Sequence, residues 1–205
     1  MKTPSIKGLA IIALVDDVVA YRDRSPECQL EVETQVNTAG LEILEEKTEP
    51  FQWYPIGGYQ SLTQFLWKTE GNGSIDYLRN RGASAAERVL ALGKYQQISF
   101  LRERYNPENH AAFASELRLV VSLQAAFFNF TTWDITQDPD HESRLQIEIS
   151  DALDFPEELC HTTAGFVTRL GVEVRSGGLQ WIPERPRRDL VVLRMDRAPK
   201  MDDAE

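Results

Sequence analysis

Apolar positions recur at helical spacing over roughly the first two thirds of the chain and at strand spacing over much of the last third. Residues 5–21 carry apolar side chains almost all round, which predicts a first helix enclosed by the fold. Ser25-Pro26-Glu27 supplies a cap residue, a proline at the first helical position and an acid in the first turn, so a second helix is expected from there to Gly40. The acidic stretch 42–49, closed by Pro50, reads as a solvated connector. Trp53-Tyr54-Pro55 breaks the chain, and Tyr59, Leu62, Phe65 and Leu66 then predict a helix over 57–69 that Gly71-Asn72-Gly73 ends. Ser74 is placed to cap a fourth helix. Ser84-Ala85-Ala86-Glu87 has the form of a capping box opening another toward Tyr105, with Gly93 as a bend. Asn106-Pro107-Glu108 repeats the cap, proline and acid signature before a helix with Phe113, Leu117, Val120 and Val121 on one face.

The period then changes to two. Strands are expected over 127–135 and 144–149, joined by the polar loop 137–143, and Leu145, Ile147 and Ile149 alternate with polar residues, so one sheet face is wet. Asp154-Phe155-Pro156-Glu157 opens a helix that buries Phe155, Leu159, Phe166, Val167 and Leu170 and is ended by Gly171. Strands over 172–175, 179–184 and 190–195 complete the pattern, the first two joined at Gly177-Gly178 and the last two at Pro186-Arg187-Arg188-Asp189. Pro183 argues that its strand lies at a sheet edge or carries a bulge. Helices first, then an antiparallel sheet with one inserted helix, make a single α+β domain over 1–197 with a disordered tail over 198–205. The alternation of strand and helix that a doubly wound nucleotide-binding fold requires is missing.

Composition narrows the function classes. The 205 residues hold 22 Lys plus Arg against 32 Asp plus Glu, a net charge of -10, so nucleic acids and anionic membranes are poor partners. Two cysteines, Cys28 and Cys160, are too few for a disulfide scaffold, which suggests a reduced, cytoplasmic setting. The run Leu9 to Val15 after Lys2 and Lys7 has the look of a secretory signal, but Asp16 and Asp17 follow it directly and end that reading. No longer apolar stretch exists for membrane insertion.

Candidate chemistry is sparse. Cys160-His161 is the one cysteine beside a histidine, yet neighbours on a helix point about 100° apart, so Cys160 is expected in the core and His161 on the surface. His110, His141 and His161 fall in different elements without a metal-binding partner at i+3 or i+4. Asp138, Asp140, His141 and Glu142 form an acidic hairpin tip that lacks the glycine and distal glutamate of a calcium loop. No metal and no cofactor are expected. Arg185, Arg187 and Arg188 gather positive charge in one turn of an acidic chain, the best candidate contact for an anionic group or partner. Trp53, Tyr59, Phe65, Phe128 and Phe130 supply the aromatic density for an apolar ligand pocket.

Three segments carry a family likeness: Ile6-Lys7-Gly8-Leu9-Ala10-Ile11, Trp53-Tyr54-Pro55 before a helix, and Leu159-Cys160-His161-Thr162-Thr163-Ala164-Gly165-Phe166 before a terminal hairpin. With them the chain resembles, from about Ile6 to Arg197, an uncharacterised paralogous family expanded in myxobacteria, itself similar in fold to haem nitric-oxide/oxygen-binding and 4-vinyl reductase domains. The resemblance implies that fold, and with it a ligand pocket between the helical half and the sheet. In haem-binding relatives an axial histidine stands near the start of a helix before the sheet, the place of His110, and a Tyr-x-Ser-x-Arg motif holds the propionates. That motif is absent here. Other relatives carry a cysteine pair in the terminal hairpin, where this chain reads Gln180-Trp181-Ile182-Pro183-Glu184-Arg185. The expectation is therefore a non-enzymatic, cytoplasmic bacterial regulatory module that binds a small apolar ligand or a protein partner, a second copy included. The alternative is a haem or tetrapyrrole gas sensor or enzyme using His110.

Overall fold

A computed structural model describes residues 3–91, 110–142, 144–174 and 179–196. The chain enters as a strand where a helix was predicted: β1 (Ser5–Lys7) pairs antiparallel with β2 (Trp53–Pro55), Ile6 opposite Tyr54. Helix α1 (Gly8–Arg22) follows and buries Ile11, Leu14, Val15 and Val18 at spacings of three and four. Asp16 and Asp17 lie exposed on its other side, so the apolar run is not enclosed all round.

Ser25 caps α2 (Pro26–Gln35) by accepting the Cys28 amide at 3.2 Å, as the cap and proline signature predicts. The expected helix to Gly40 is split, because Asn37 starts a helix of its own: its Oδ1 accepts the Gly40 amide at 2.8 Å and opens α3 (Thr38–Glu45). The acidic stretch is thus helical up to Glu45. Helix α4 (Ile56–Thr69) ends at a turn in which Asn72 and Gly73 take left-handed backbone angles, the stop read from Gly71-Asn72-Gly73.

Ser74 opens α5 (Ile75–Ala91), its hydroxyl oxygen accepting the Asp76 amide at 3.2 Å. The capping box at Ser84 does not form. Ser84 is an exposed mid-helix residue, because α5 buries Leu78, Gly82 and Ala86 on one continuous face that carries the helix past it. The predicted extension to Tyr105, the bend at Gly93, the signature Asn106-Pro107-Glu108 and the side chain of Phe113 lie outside the described residues.

Helix α6 (His110–Ala125) precedes a four-stranded antiparallel sheet of order β3-β4-β6-β5, built from β3 (Thr132–Gln137), β4 (Leu145–Ser150), β5 (Trp181–Arg187) and β6 (Leu190–Met195). Ile147 opposite Leu193 and Ile149 opposite Val191 place four fully buried side chains in register. The other face is held by Arg194, which pairs with Asp138 at 2.9 Å, Asp140 at 3.0 Å and Glu184 at 3.0 Å. The hairpin tip is therefore not simply solvated, since Asp138 is buried in that network. Strand β3 begins at Thr132, later than expected. Phe127 and Phe128 stay in the core, where the Phe127 carbonyl accepts the Lys7 amide at 3.0 Å and ties β1 to the end of α6.

The inserted helix α7 (Glu157–Val174), after a short 3-10 turn over Ala152–Asp154, passes through Gly171. The strand predicted over 172–175 is not formed, as 172–174 are helical; Arg175, Gly177, Gly178 and the tail 198–205 lie outside the described residues. One glycine costs a helix about 1 kcal/mol and does not end one that packs along its length. Packing against α5 is close: a Cβ on Gly82 would overlap the Thr162 carbonyl oxygen, and one on Gly165 would overlap the Arg79 carbonyl oxygen. Backbone therefore lies on backbone, which glycine alone permits. Among the described residues no helix is long and apolar enough to cross a membrane.

Candidate functional site

The contact of α5 with α7 forms one side of a cavity of about 490 Å³. Helix α1 contributes Leu9, Ala13 and Leu14, α5 contributes Ala85 and Val89, and α7 contributes Leu159 and Phe166. Ile6 of β1 and Phe127 and Phe128, just beyond α6, close it from the sheet side, but no strand of the four-stranded sheet lines it. The volume falls in the range of small-molecule sites, and apolar surface dominates the walls. Asp16, Arg88 and Ala91 are exposed and mark where it opens to solvent.

Neutral polar side chains interrupt the apolar walls: Tyr59 and Thr63 on α4, Gln124 on α6, Thr162 and Thr163 on α7. The Tyr59 hydroxyl lies 3.4 Å from Thr162 Oγ1, which itself donates to the Leu159 carbonyl at 3.1 Å. Burial pushes the Tyr59 pKa up, so the ring stays a neutral phenol. Gln124 Oε1 and Thr163 Oγ1 are buried without any hydrogen-bond partner. Arg81 also reaches the wall, but its guanidinium is held by Asp17 at 2.8 Å and lies over the Tyr77 ring.

Of the five aromatic residues predicted to wall a pocket, Tyr59 and Phe128 line this cavity; Trp53, Phe65 and Phe130 do not. Trp53 is 42% exposed on β2 beneath the Lys7 ammonium. Phe65 faces the opposite side of α4 and meets Tyr21 edge-on at 5.1 Å. Phe130 belongs to a closed aromatic cluster in which Phe128 stacks on Trp133 at 5.8 Å and Phe155 abuts both. Around Phe130 the aromatic rings pack on one another, and this cavity lies among the helices. The wall residues Leu9, Ala13, Ala85 and Val89 were missed because small and aliphatic residues at helical spacing look the same facing a void or a core.

Cys160 is buried and Arg185 Nη2 lies 3.5 Å from its Sγ; burial pushes the thiol pKa up to about 12. His161 is half-buried rather than exposed, its Nε2 3.8 Å from Glu157, and desolvation holds its pKa below the usual value. The arginine turn is not a set of three free cations. Arg185 points inward and donates to the carbonyls of Ala152 at 3.1 Å, Phe155 at 2.5 Å and Arg188 at 3.0 Å. Arg187 pairs with Asp189 at 3.2 Å, and Arg188 is exposed.

Haem is the group the fold resemblance implies. The described walls hold no histidine, cysteine or methionine to ligate iron; Tyr59 is turned to Thr162, and the imidazole of His110 lies outside the described side chains. Of the two arginines in the described wall, Arg81 is committed to Asp17 and Arg88 is exposed, so neither stands free for a buried propionate. The described residues do not fit an iron porphyrin.

No family profile and no curated protein matches the chain, so nothing supports the narrower myxobacterial family. Solved structures do match. An Fe(II) unliganded H-NOX protein from K. algicida aligns over 96% of this chain and 98% of its own, at 14% identity and a TM-score of 0.55. A point mutant of that protein aligns over 94% and 97%, at 14% identity and a TM-score of 0.56. At that identity the likeness concerns architecture alone. The chain has an α+β fold similar to that of H-NOX proteins.

Proposed function

We propose that this chain is a non-enzymatic, ligand-binding sensor module of bacterial cytoplasmic regulation, and that a small, largely apolar molecule in the helical cavity is its signal. The cavity of about 490 Å³, largely apolar in its walls and with the Arg81 guanidinium tied to Asp17, carries this reading. A titration with the neutral apolar fluorophore N-phenyl-1-naphthylamine tests it. Saturable binding of one probe per chain, weakened when Ala85→Phe fills the wall, is the expected result. Absence of saturable binding overturns the reading.

A second reading, haem held by His110 at the start of α6, is favoured by the neighbours: both are Fe(II) H-NOX proteins and align over nearly the whole chain. That likeness weighs toward haem more than toward the apolar ligand, while the composition of the described walls weighs the other way. Haemin titration decides between them. A stoichiometric Soret band lost in His110→Ala establishes the haem reading, and no such band leaves the apolar ligand.

A further inference from the structure

We propose that Asn72 is a self-modifying site: its side-chain amide is lost by attack of the Gly73 backbone nitrogen, at a rate set by the turn between α4 and α5. Asn72-Gly73 is the single Asn-Gly pair in the chain, and glycine, having no side chain, leaves its nitrogen the least obstructed nucleophile for such a ring closure. Both residues are exposed and both take left-handed backbone angles, with φ of 47° and 73°. A Cβ at Gly73 would meet nothing within 4 Å, so no packed neighbour shields the pair.

The reaction consumes one water and releases one ammonia. Hydroxide takes the proton of the Gly73 nitrogen, which attacks Asn72 Cγ; the N–Cγ bond forms, the Cγ–Nδ2 bond breaks, and Nδ2 leaves as ammonia with a proton from water, which restores the hydroxide. Water then opens the cyclic imide at either carbonyl, leaving aspartate or isoaspartate. What holds this back in the folded chain acts on the same nitrogen. The Gly73 N–H donates to the Trp67 carbonyl at 2.9 Å, the Ser74 N–H to the Gly71 carbonyl at 2.9 Å, and Trp67 Nε1 to the Ser74 carbonyl at 2.8 Å. The nitrogen is free to attack only while this clamp is open, so the folded rate is the open-chain rate multiplied by the fraction of time the turn spends open. Either product adds a carboxylate to the turn, and isoaspartate lengthens its main chain by a methylene. The helices joined there carry Tyr59, Thr63, Ala85 and Val89 of the cavity wall.

Incubation of the full chain at pH 8 tests this, with the tryptic peptide 69–79 resolved into its asparagine, aspartate and isoaspartate forms by liquid chromatography and mass spectrometry. In guanidinium chloride the parent should lose Asn72 to a mixture of aspartate and isoaspartate, and the folded parent should do so at least about tenfold more slowly. Gly71→Ala, whose Cβ would lie 2.7 Å from the Trp67 carbonyl oxygen and 2.6 Å from the Tyr77 ring, loosens the clamp without touching the reacting pair and should raise the folded rate several-fold. If Gly71→Ala does not fold, Trp67→Phe, which removes the indole bond to the Ser74 carbonyl, decides with the same expectation. An intact Asn72 in the unfolded chain overturns the site. Equal folded and unfolded rates, or a folded clamp variant as slow as the parent, overturn the control by the turn and with it the inference.

Discussion

Gly82→Ala is the substitution whose effect the structure dictates most directly. The added methyl would overlap the Thr162 carbonyl oxygen and lie 2.8 Å from the Phe166 amide nitrogen, both backbone atoms of α7. No rotamer relieves a backbone clash, so α5 and α7 must part by about 2 Å to restore ordinary contacts of 3.5–4.0 Å. Overpacking of this kind costs about 1–3 kcal/mol, and a rigid backbone neighbour puts it at the upper end. Alanine returns about 1 kcal/mol of helix propensity. The net destabilisation is about 2 kcal/mol, or about 4–8 °C in Tm for a chain of this size. Urea and thermal unfolding followed by circular dichroism read it, with Gly57→Ala as control. A Cβ at Gly57, also helical, meets nothing within 4 Å, so that variant should be neutral to slightly stabilising. Gly165→Ala meets the Arg79 backbone in the same way and should cost a similar amount, while the double variant costs less than the sum, because helices already parted accept the second methyl. A Gly82→Ala chain more stable than its parent would refute the close packing of α5 on α7.

Three further outcomes follow from named contacts. Ellman's reagent at pH 8 should label the half-buried Cys28 in the native chain and Cys160 only after unfolding; rapid labelling of both would show that Cys160 is not buried with its pKa near 12, and stability should fall above about pH 9, where the unfolded thiol ionises and the native one does not. His161, its pKa lowered by desolvation, is neutral in both states above about pH 6.5; as pH drops through that value the unfolded chain takes up a proton the native state resists, so stability declines toward pH 5, and His161→Gln should flatten that decline in pH-dependent melting. Arg185→Gln removes donors from the Ala152, Phe155 and Arg188 carbonyls and should cost about 2 kcal/mol in urea unfolding, against about 0.5 kcal/mol or less for Arg187→Gln or Arg188→Gln; equal, small effects from all three would mean that Arg185 is an ordinary surface cation.

The α+β order was legible because local chemistry sets much of it. Ser25, Ser74 and the Gly71-Asn72-Gly73 turn act where the sequence places them, and the alternation around Ile147 and Ile149 matches the sheet register. The failures come where packing between distant segments overrides local preference. Ser84-Ala85-Ala86-Glu87 has every feature of a helix start, but the buried stripe of Leu78, Gly82 and Ala86 continues the helix through it. Gly171 reads as a stop by the same local logic and is overridden along α7. Ser5–Lys7 reads as helix because its partner β2 is nearly fifty residues away, and a three-residue pairing leaves no period to detect. Arg185 was read as surface charge because the carbonyls it caps, about thirty residues earlier, have no sequence signature.

The cavity was illegible for a related reason, and that reason bears on how it would work. Its walls draw on β1, α1, α4, α5, the end of α6 and α7, so no single segment carries a motif for it. Gly82, Thr162 and Phe166 belong both to the cavity wall and to the tight contact of α5 with α7. A ligand that fills the space thus touches the same residues that set the spacing of those two helices, and α7 is the element inserted between β4 and β5. Binding at 100 times Kd would add about 2.7 kcal/mol to the stability of the packed form, about the cost of the Gly82→Ala methyl. On the proposed ligand-binding reading, occupancy would change that spacing only by as much as the ligand's affinity differs between one helix position and another.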